Sequence, residues 1–241
     1  VRIAILSDIH GNLEALTSVL QDLEERRVET TICLGDCVGY GPDPEEVIQV
    51  IRERGIQCIL GNHELGLIDQ DHGLHFNPAA LLSLRLTRKF LSRNSFDYIR
   101  GLPKTLTVAG ALCVHGCPPD SVTRYLFDVP DGDLALILGN LPKRVCFVGH
   151  THELKLVTCH EGKVSRAPLP EGILRLAAGP RYVVNAGSVG QPRDGNNNAK
   201  YVVWDTEAET LDVRFVPYDI AATVRKILAG GFPEYNAQRL W

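Results

Sequence analysis

The stretch RIAILSDIHGNLEALTSVLQDL, residues 2–23, decides how the rest of the chain is read. Arg2 to Leu6 is a short aliphatic run with the pattern of a buried strand. Ser7-Asp8-Ile9-His10-Gly11-Asn12 then breaks that pattern. Asn12 is a good N-cap, because its side-chain oxygen can accept a free backbone N–H. Leu13, Leu16, Leu20 and Leu23 follow on one helical face. Strand, polar loop and helix form the repeating unit of an α/β fold, and here the loop carries an aspartate and a histidine where the strand ends.

The unit recurs. Thr30 to Leu34 reads as a second strand running into Gly35-Asp36. Asp43 reads as the N-cap and Pro44 as the first residue of a helix ending near Gly55, with Glu45 and Glu46 at its positive end. A third strand, Gln57 to Leu60, leads into Gly61-Asn62-His63-Glu64. This alternation predicts a partly parallel sheet. Residues 66–103 break the rhythm and read as a helical insertion, opened by Asn77-Pro78 and carrying Leu81, Leu82, Leu84, Leu86 and Phe90. Strands then dominate: 105–108, 112–115, 145–148, 154–159, 163–167, 182–185, 201–205 and 211–216. A helix near 130–139 interrupts them and another, from Asp219 to about Leu228, closes the series. The expected architecture is two sheets sandwiched between helices, as a single domain over 1–241.

Composition narrows the function. A chain of 241 residues can bury a sizeable core. Its net charge of −4 argues against a general nucleic-acid surface. It leaves room for a small phosphate ester, which needs only local positive charge. The apolar runs fall far short of the ~20 residues of a spanning helix, and no leader pattern precedes the first strand. The seven cysteines are odd in number and scattered through apolar runs. They read as reduced, small hydrophobes of a cytoplasmic protein. The pairs Cys33/Cys37 and Cys113/Cys117 have a spacing that zinc could use, but the first of each pair falls inside a strand.

Polar residues gather at strand ends. Asp8 and His10 follow the first strand, Asp36 the second, Asn62 and His63 the third. His115 ends the Leu112-Cys113-Val114 run, and Gly149-His150-Thr151-His152 follows Val145-Cys146-Phe147-Val148. Ligand sites in open α/β sheets lie beyond the carboxyl ends of strands. Each piece alone has a bland reading as a turn residue or a strand terminator. The two histidines of Gly-His-Thr-His would point to opposite faces of an extended segment. They could serve one centre only if the backbone turns, which Gly149 permits. The joint pattern is harder to dismiss, because structural histidines have no reason to gather at strand ends beside aspartates. Five of the eight histidines belong to it.

Carboxylate, imidazole and amide oxygen without thiolate suit manganese, iron, zinc, cobalt or nickel. Seven candidate ligands exceed one tetrahedral ion and suit two ions about 3.5–4 Å apart, sharing a carboxylate. Such a pair acidifies a bridging water and neutralises a phosphoryl group. One histidine remains to protonate the leaving oxygen.

Asp8-x-His10, Gly35-Asp36, Gly61-Asn62-His63-Glu64, His115-Gly116 and Gly149-His150-x-His152 stand in the order of the calcineurin-like metallophosphoesterases. Asn185-Ala186-Gly187-Ser188 onward resembles the Gly-Ser loop of that family's small bacterial and archaeal members, and Gly39-Tyr40-Gly41-Pro42 is similar to a subgroup of them. The resemblance implies the metallophosphatase fold, an αββα sandwich. It implies that Asp8, His10 and His152 hold the first metal, that Asp36 bridges, and that Asn62, His115 and His150 hold the second. It further implies a metal-bridging hydroxide as nucleophile, His63 as general acid, and manganese as the ion for assays. Glu64 stands where the family often has an aspartate that orients this histidine, so the longer arm puts that role in question. Asn12 is a candidate phosphate contact or only a cap, and Arg193 a candidate bidentate phosphate donor or a structural ion pair. Tyr40 lines the cleft or packs on its turn. His72, His75 and His160 read as exposed loop residues.

The expected function is dimetal hydrolysis of a small phosphate monoester or diester. A non-catalytic interaction scaffold on the same fold is the alternative, and a metal-storage protein a third. A complete ligand set together with an unligated His63 argues against both.

Overall fold

The computed structural model describes residues 1–69, 71 and 76–241. Strand and helix alternate at first: β1 (Arg2–Leu6), α1 (Leu13–Glu24), β2 (Thr30–Cys33), α2 (Pro44–Glu53), β3 (Gln57–Cys58) and α3 (Asn62–Ile68). Two helices, α4 (Pro78–Phe90) and α5 (Arg93–Arg100), precede β4 (Thr105–Val108) and β5 (Ala111–Val114). A 3-10 turn at Leu126–Asp128 and α6 (Asp131–Asn140) lead to β6 (Val145–Val148), β7 (Leu154–His160), β8 (Lys163–Pro168) and β9 (Gly172–Arg175). The chain continues through β10 (Arg181–Ala186), β11 (Ala199–Asp205), β12 (Thr210–Val216), α7 (Ile220–Ala229) and α8 (Glu234–Gln238).

The strands form two six-stranded mixed sheets, in the orders β3-β2-β1-β11-β12-β9 and β4-β5-β6-β10-β7-β8. β1, β2 and β3 are parallel, as are β5, β6 and β10, so their carboxyl ends share one edge of each sheet. Because side chains alternate along a strand, β1 is apolar on both faces. Ile3 and Ile5 point between the sheets, where they join Ile32, Leu34, Phe147, Val184 and Trp204. Ala4 and Leu6 point outward onto α1 and α2, against Leu16, Val19, Val47 and Ile48. α6 covers the far sheet through Leu134 and Leu138. Helices, sheet, sheet and helix are therefore stacked in layers as expected, and no helix among the described residues is long and apolar enough to cross a membrane.

Local readings meet the structure unevenly. Asn12 caps α1 by accepting the N–H of Ala15 at 3.1 Å. Asp43 stands at the N-cap of α2 but makes no cap bond, and its carboxylate pairs with Lys226 at 3.0 Å instead. Gly61-Asn62-His63-Glu64 opens a helix. Gly61 is the N-cap of α3, and β3 ends two residues earlier than expected. In α4 only Leu84 of the five large apolar residues is buried, and Ala80, Ser83 and Thr87 complete that face, while Leu82 and Phe90 are exposed. That face meets a polar neighbour, since Thr87 donates to the Gly39 carbonyl at 3.0 Å. β9 and α8 went unread. β9 is an edge strand with Ile173 exposed, and α8 has only five residues, too few for a helical period. His160 is the exposed last residue of β7, and His72 and His75 lie outside the described residues.

Candidate active site

The carboxyl ends of β1, β2, β5 and β6, with the start of α3, bring the candidate residues to one rim. Asp8, His10, Asp36, His150 and His152 all have left-handed backbone, with φ between 51 and 67°. This conformation is uncommon outside glycine, although Asp and His tolerate it better than bulkier residues. It turns the chain sharply back as each strand leaves its sheet. The turn after β6 is thus made by the two histidines themselves and not by Gly149. Gly149 is needed for space: a Cβ there would lie 1.9 Å from the Ser7 Oγ and 2.6 Å from the Asp8 Oδ2.

The side chains fall into adjoining clusters. Asp8, His10 and His152 place donor atoms within 4.8 Å of one another, and so do Asp36, His115 and His150. The histidines of Gly-His-Thr-His therefore belong to two clusters, one each. Asp36 Oδ2 lies between them, 3.6 Å from His10 Nε2 and 3.4 Å from His115 Nε2. Asn62 Oδ1 reaches the second cluster, 3.0 Å from His115 Nε2. His63 groups with His10 and Asp36.

Backbone carbonyls fix the imidazole tautomers, as they do around many metal-binding histidines. His10 Nδ1 donates to the Val38 carbonyl at 3.0 Å and His152 Nδ1 to that of Gln191 at 2.6 Å. In that tautomer of the neutral rings both Nε2 atoms, 3.0 Å apart, carry lone pairs. His150 is held the other way round, Nε2 donating to Thr123, which leaves Nδ1 for the site. Asp8 Oδ1 lies 3.3 Å from His152 Nε2, buried and with no hydrogen-bond partner. A buried carboxylate oxygen among imidazole lone pairs is a set of acceptors without a donor, and a divalent cation fits it.

The electrostatics divide the imidazoles. Burial pushes Asp8 up, but His152, His10 and His115 outweigh it and hold the carboxyl well below the usual range. Burial likewise disfavours the charged form of His115, yet Asp36 overrides it and lifts the ring to about 10. Burial pushes His150 down to about 3 and His152 to about 4, so both stand as neutral rings with a free lone pair.

Glu64 does not touch His63. Its carboxylate accepts the backbone N–H groups of Asp36 (2.7 Å), Gly61 (3.0 Å) and Val38 (3.1 Å). His63 is placed instead through its backbone N–H, which donates to Asp36 Oδ1 at 2.8 Å. Its Nδ1 is buried and unpartnered, packed against Gly39, which leaves Nε2 as the nitrogen facing the cavity.

A cavity of about 530 Å³ opens over the clusters, lined by Tyr40, His63, Phe76, Tyr125, His150 and Arg193 among others. Arg193 lies over the Tyr40 ring at 5.9 Å, and its Nε is buried without a partner. Tyr40 therefore lines the cleft. Asn12 does not: Oδ1 accepts from Ala15 and Thr223, and Nδ2 donates to the Gly190 carbonyl, so the cap reading is the one its geometry supports. Tyr125, stacked on His150 with centroids 3.9 Å apart, was missed by sequence reasoning. So were the carbonyls of Leu34, Val38, Thr123 and Gln191, since a backbone oxygen leaves no residue signature.

Residues 1–209 match the model of the calcineurin-like phosphoesterase superfamily domain, and the chain belongs to that family. It is 35% identical to an uncharacterized protein of Methanocaldococcus jannaschii, over 99% of this chain and 97% of the other. The crystal structure of a metallophosphoesterase from Sphaerobacter thermophilus superposes with a TM-score of 0.84 at 33% identity, covering 99% of this chain and 97% of that one. A shorter stretch of 76 residues is 34% identical to the symmetrical bis(5'-nucleosyl)-tetraphosphatase of Cronobacter sakazakii, covering 30% of this chain and 27% of that protein.

Proposed function

We propose that the chain, as one domain over residues 1–241, is a dimetal-dependent hydrolase of small phosphate esters. Asp8, His10 and His152 hold one ion and Asn62, His115 and His150 the other, with Asp36 shared. The observation that carries this reading is the pair of adjoining carboxylate–imidazole clusters joined by Asp36 Oδ2. When bound, two divalent cations would neutralise the phosphoryl oxygens and activate the attacking water.

The protein's own groups do the rest. Arg193, which lines the cavity, offers its guanidinium to a phosphate oxygen, a charge-assisted contact. Tyr40, Phe76 and Tyr125 wall the cavity and limit its water. His63 Nε2 gives a proton to the leaving oxygen. Burial pushes His63 well below the usual imidazole range, so it takes up a proton when the phosphate's negative charge is in place and releases it readily to an alkoxide. A cavity of about 530 Å³ suits a small substrate.

The test is hydrolysis of p-nitrophenyl phosphate and bis-p-nitrophenyl phosphate side by side, after chelation and reloading with manganese. A symmetrical dinucleoside tetraphosphate serves as third substrate, on the strength of the stretch shared with tetraphosphatases. Metal-dependent turnover of any of them is the expected result. Two bound metals with no turnover of all three would sink the reading in favour of a scaffold.

A further inference from the structure

We propose that Cys33, Cys37 and Cys58 form a separate thiolate site for one soft cation of the cuprous or cadmium class. Cys33 and Cys58 sit directly opposite each other on the parallel strands β2 and β3, so their side chains leave the same face of the sheet. The Gly35-Asp36 turn brings the chain back and places Cys37 between them. Its sulfur lies 3.5 Å from that of Cys33 and 3.2 Å from that of Cys58. All three residues are buried. The other four cysteines are buried as well, but among the described residues they form no comparable group.

The donor set defines the ligand. Three sulfurs select soft ions, in contrast to the nitrogen and oxygen donors of the neighbouring clusters. No imidazole or carboxylate joins the three among the described residues. Glu64, a nearby carboxylate, has its oxygens taken by three N–H groups. Structural zinc asks for four ligands, whereas a soft d10 ion accepts three thiolates. Each ligating thiol passes its proton to solvent as the ion enters. Entry is from the side of β3, the edge strand of its sheet, where Cys58 keeps 7% exposure. The bound ion ties together the two strands whose ends lead to Asp36 and to Asn62.

Cadmium is the probe, added to the reduced, manganese-loaded full chain. Nitrogen and oxygen donors give no thiolate-to-cadmium charge-transfer absorption, so the near-ultraviolet band reports the sulfur site alone. The expected result is one equivalent of cadmium with that band, lost in Cys37→Ser and in Cys58→Ser and kept in Cys113→Ser. No band in the wild type, or a band that survives Cys37→Ser, would overturn the proposal. Should the serine variants fail to fold, alkylation mapped by mass spectrometry on the wild type decides. With labelling prolonged until all seven thiols react in the metal-free protein, cadmium must slow Cys33, Cys37 and Cys58 and leave the other four unchanged, and equal rates with and without cadmium refute the site. Neither outcome depends on phosphoesterase activity.

Discussion

The Glu64 carboxylate accepts the backbone N–H of Asp36 at 2.7 Å, and through Val38 and Gly61 it holds together the two turns that carry Asp36 and Asn62. It is a clamp on the backbone, where an aspartate orienting the histidine was the family expectation. Glu64→Gln should therefore lower thermal stability, because an NH₂ group would meet at least one of three N–H donors, at a cost of about 1–3 kcal/mol. Manganese affinity and turnover should fall with it. Calorimetry and metal titration check this. An intact metal site with turnover alone reduced would return Glu64 to the role of orienting His63.

His63→Ala should keep both metals, since no candidate ligand depends on its ring. Turnover of esters with poor leaving groups should drop about 10²–10⁴-fold, the usual worth of a general acid. The loss for p-nitrophenyl esters should be smaller, because that leaving group departs unprotonated. Equal losses on both would exclude His63 as the acid.

Arg193→Ala should raise KM about 10–100-fold at unchanged metal content, as loss of a hydrogen bond to a charged group costs about 1.5–3 kcal/mol. Its N–H donates to the His152 carbonyl at 3.0 Å from the backbone, which the substitution keeps. A fall in kcat with KM unchanged would count against a role in phosphate binding.

Away from the cavity, Asp22 on α1 is bonded by Arg214, Tyr201 and Arg26. Burial raises its carboxyl, but these partners prevail and bring it down to about 2. A depressed folded-state value stabilises the protein above pH ~4 and loses that contribution as pH falls toward 2. Asp22→Asn should cost about 1 kcal/mol at pH 7, after screening at a partly exposed site. The variant and wild-type stabilities should converge as pH falls to about 2. Urea melts across pH 2–7 measure it, and a constant difference would show that the pairing is not the source.

Much of this was legible before any coordinates. The rim could be read because Asp8, Asp36, His115 and His150 each stand just past an apolar run, and strand ends in α/β sheets converge. Which cluster each histidine joins came from the family resemblance and not from the local pattern, since it depends on backbone turns taken at His150 and His152 themselves. The buried face of α4 was only partly legible for a related reason. Leucine spacing marks a helix that packs on apolar matter, while Ser83 and Thr87 answer polar partners distant in sequence, Asn236 and the Gly39 carbonyl. Those partners lie 153 and 48 residues away, beyond any local pattern.

The left-handed turns at Asp8, His10, Asp36, His150 and His152 set a direction for evolutionary drift. Backbone of that kind costs a residue with a Cβ about 1 kcal/mol or more at each position. Glycine there would relax the turn and remove the proposed metal donor in a single substitution. A lineage released from the need to hydrolyse its substrate would thus gain robustness by abandoning these positions first. Inert members of such a fold are then the easy descendants of active ones, and the return path runs uphill.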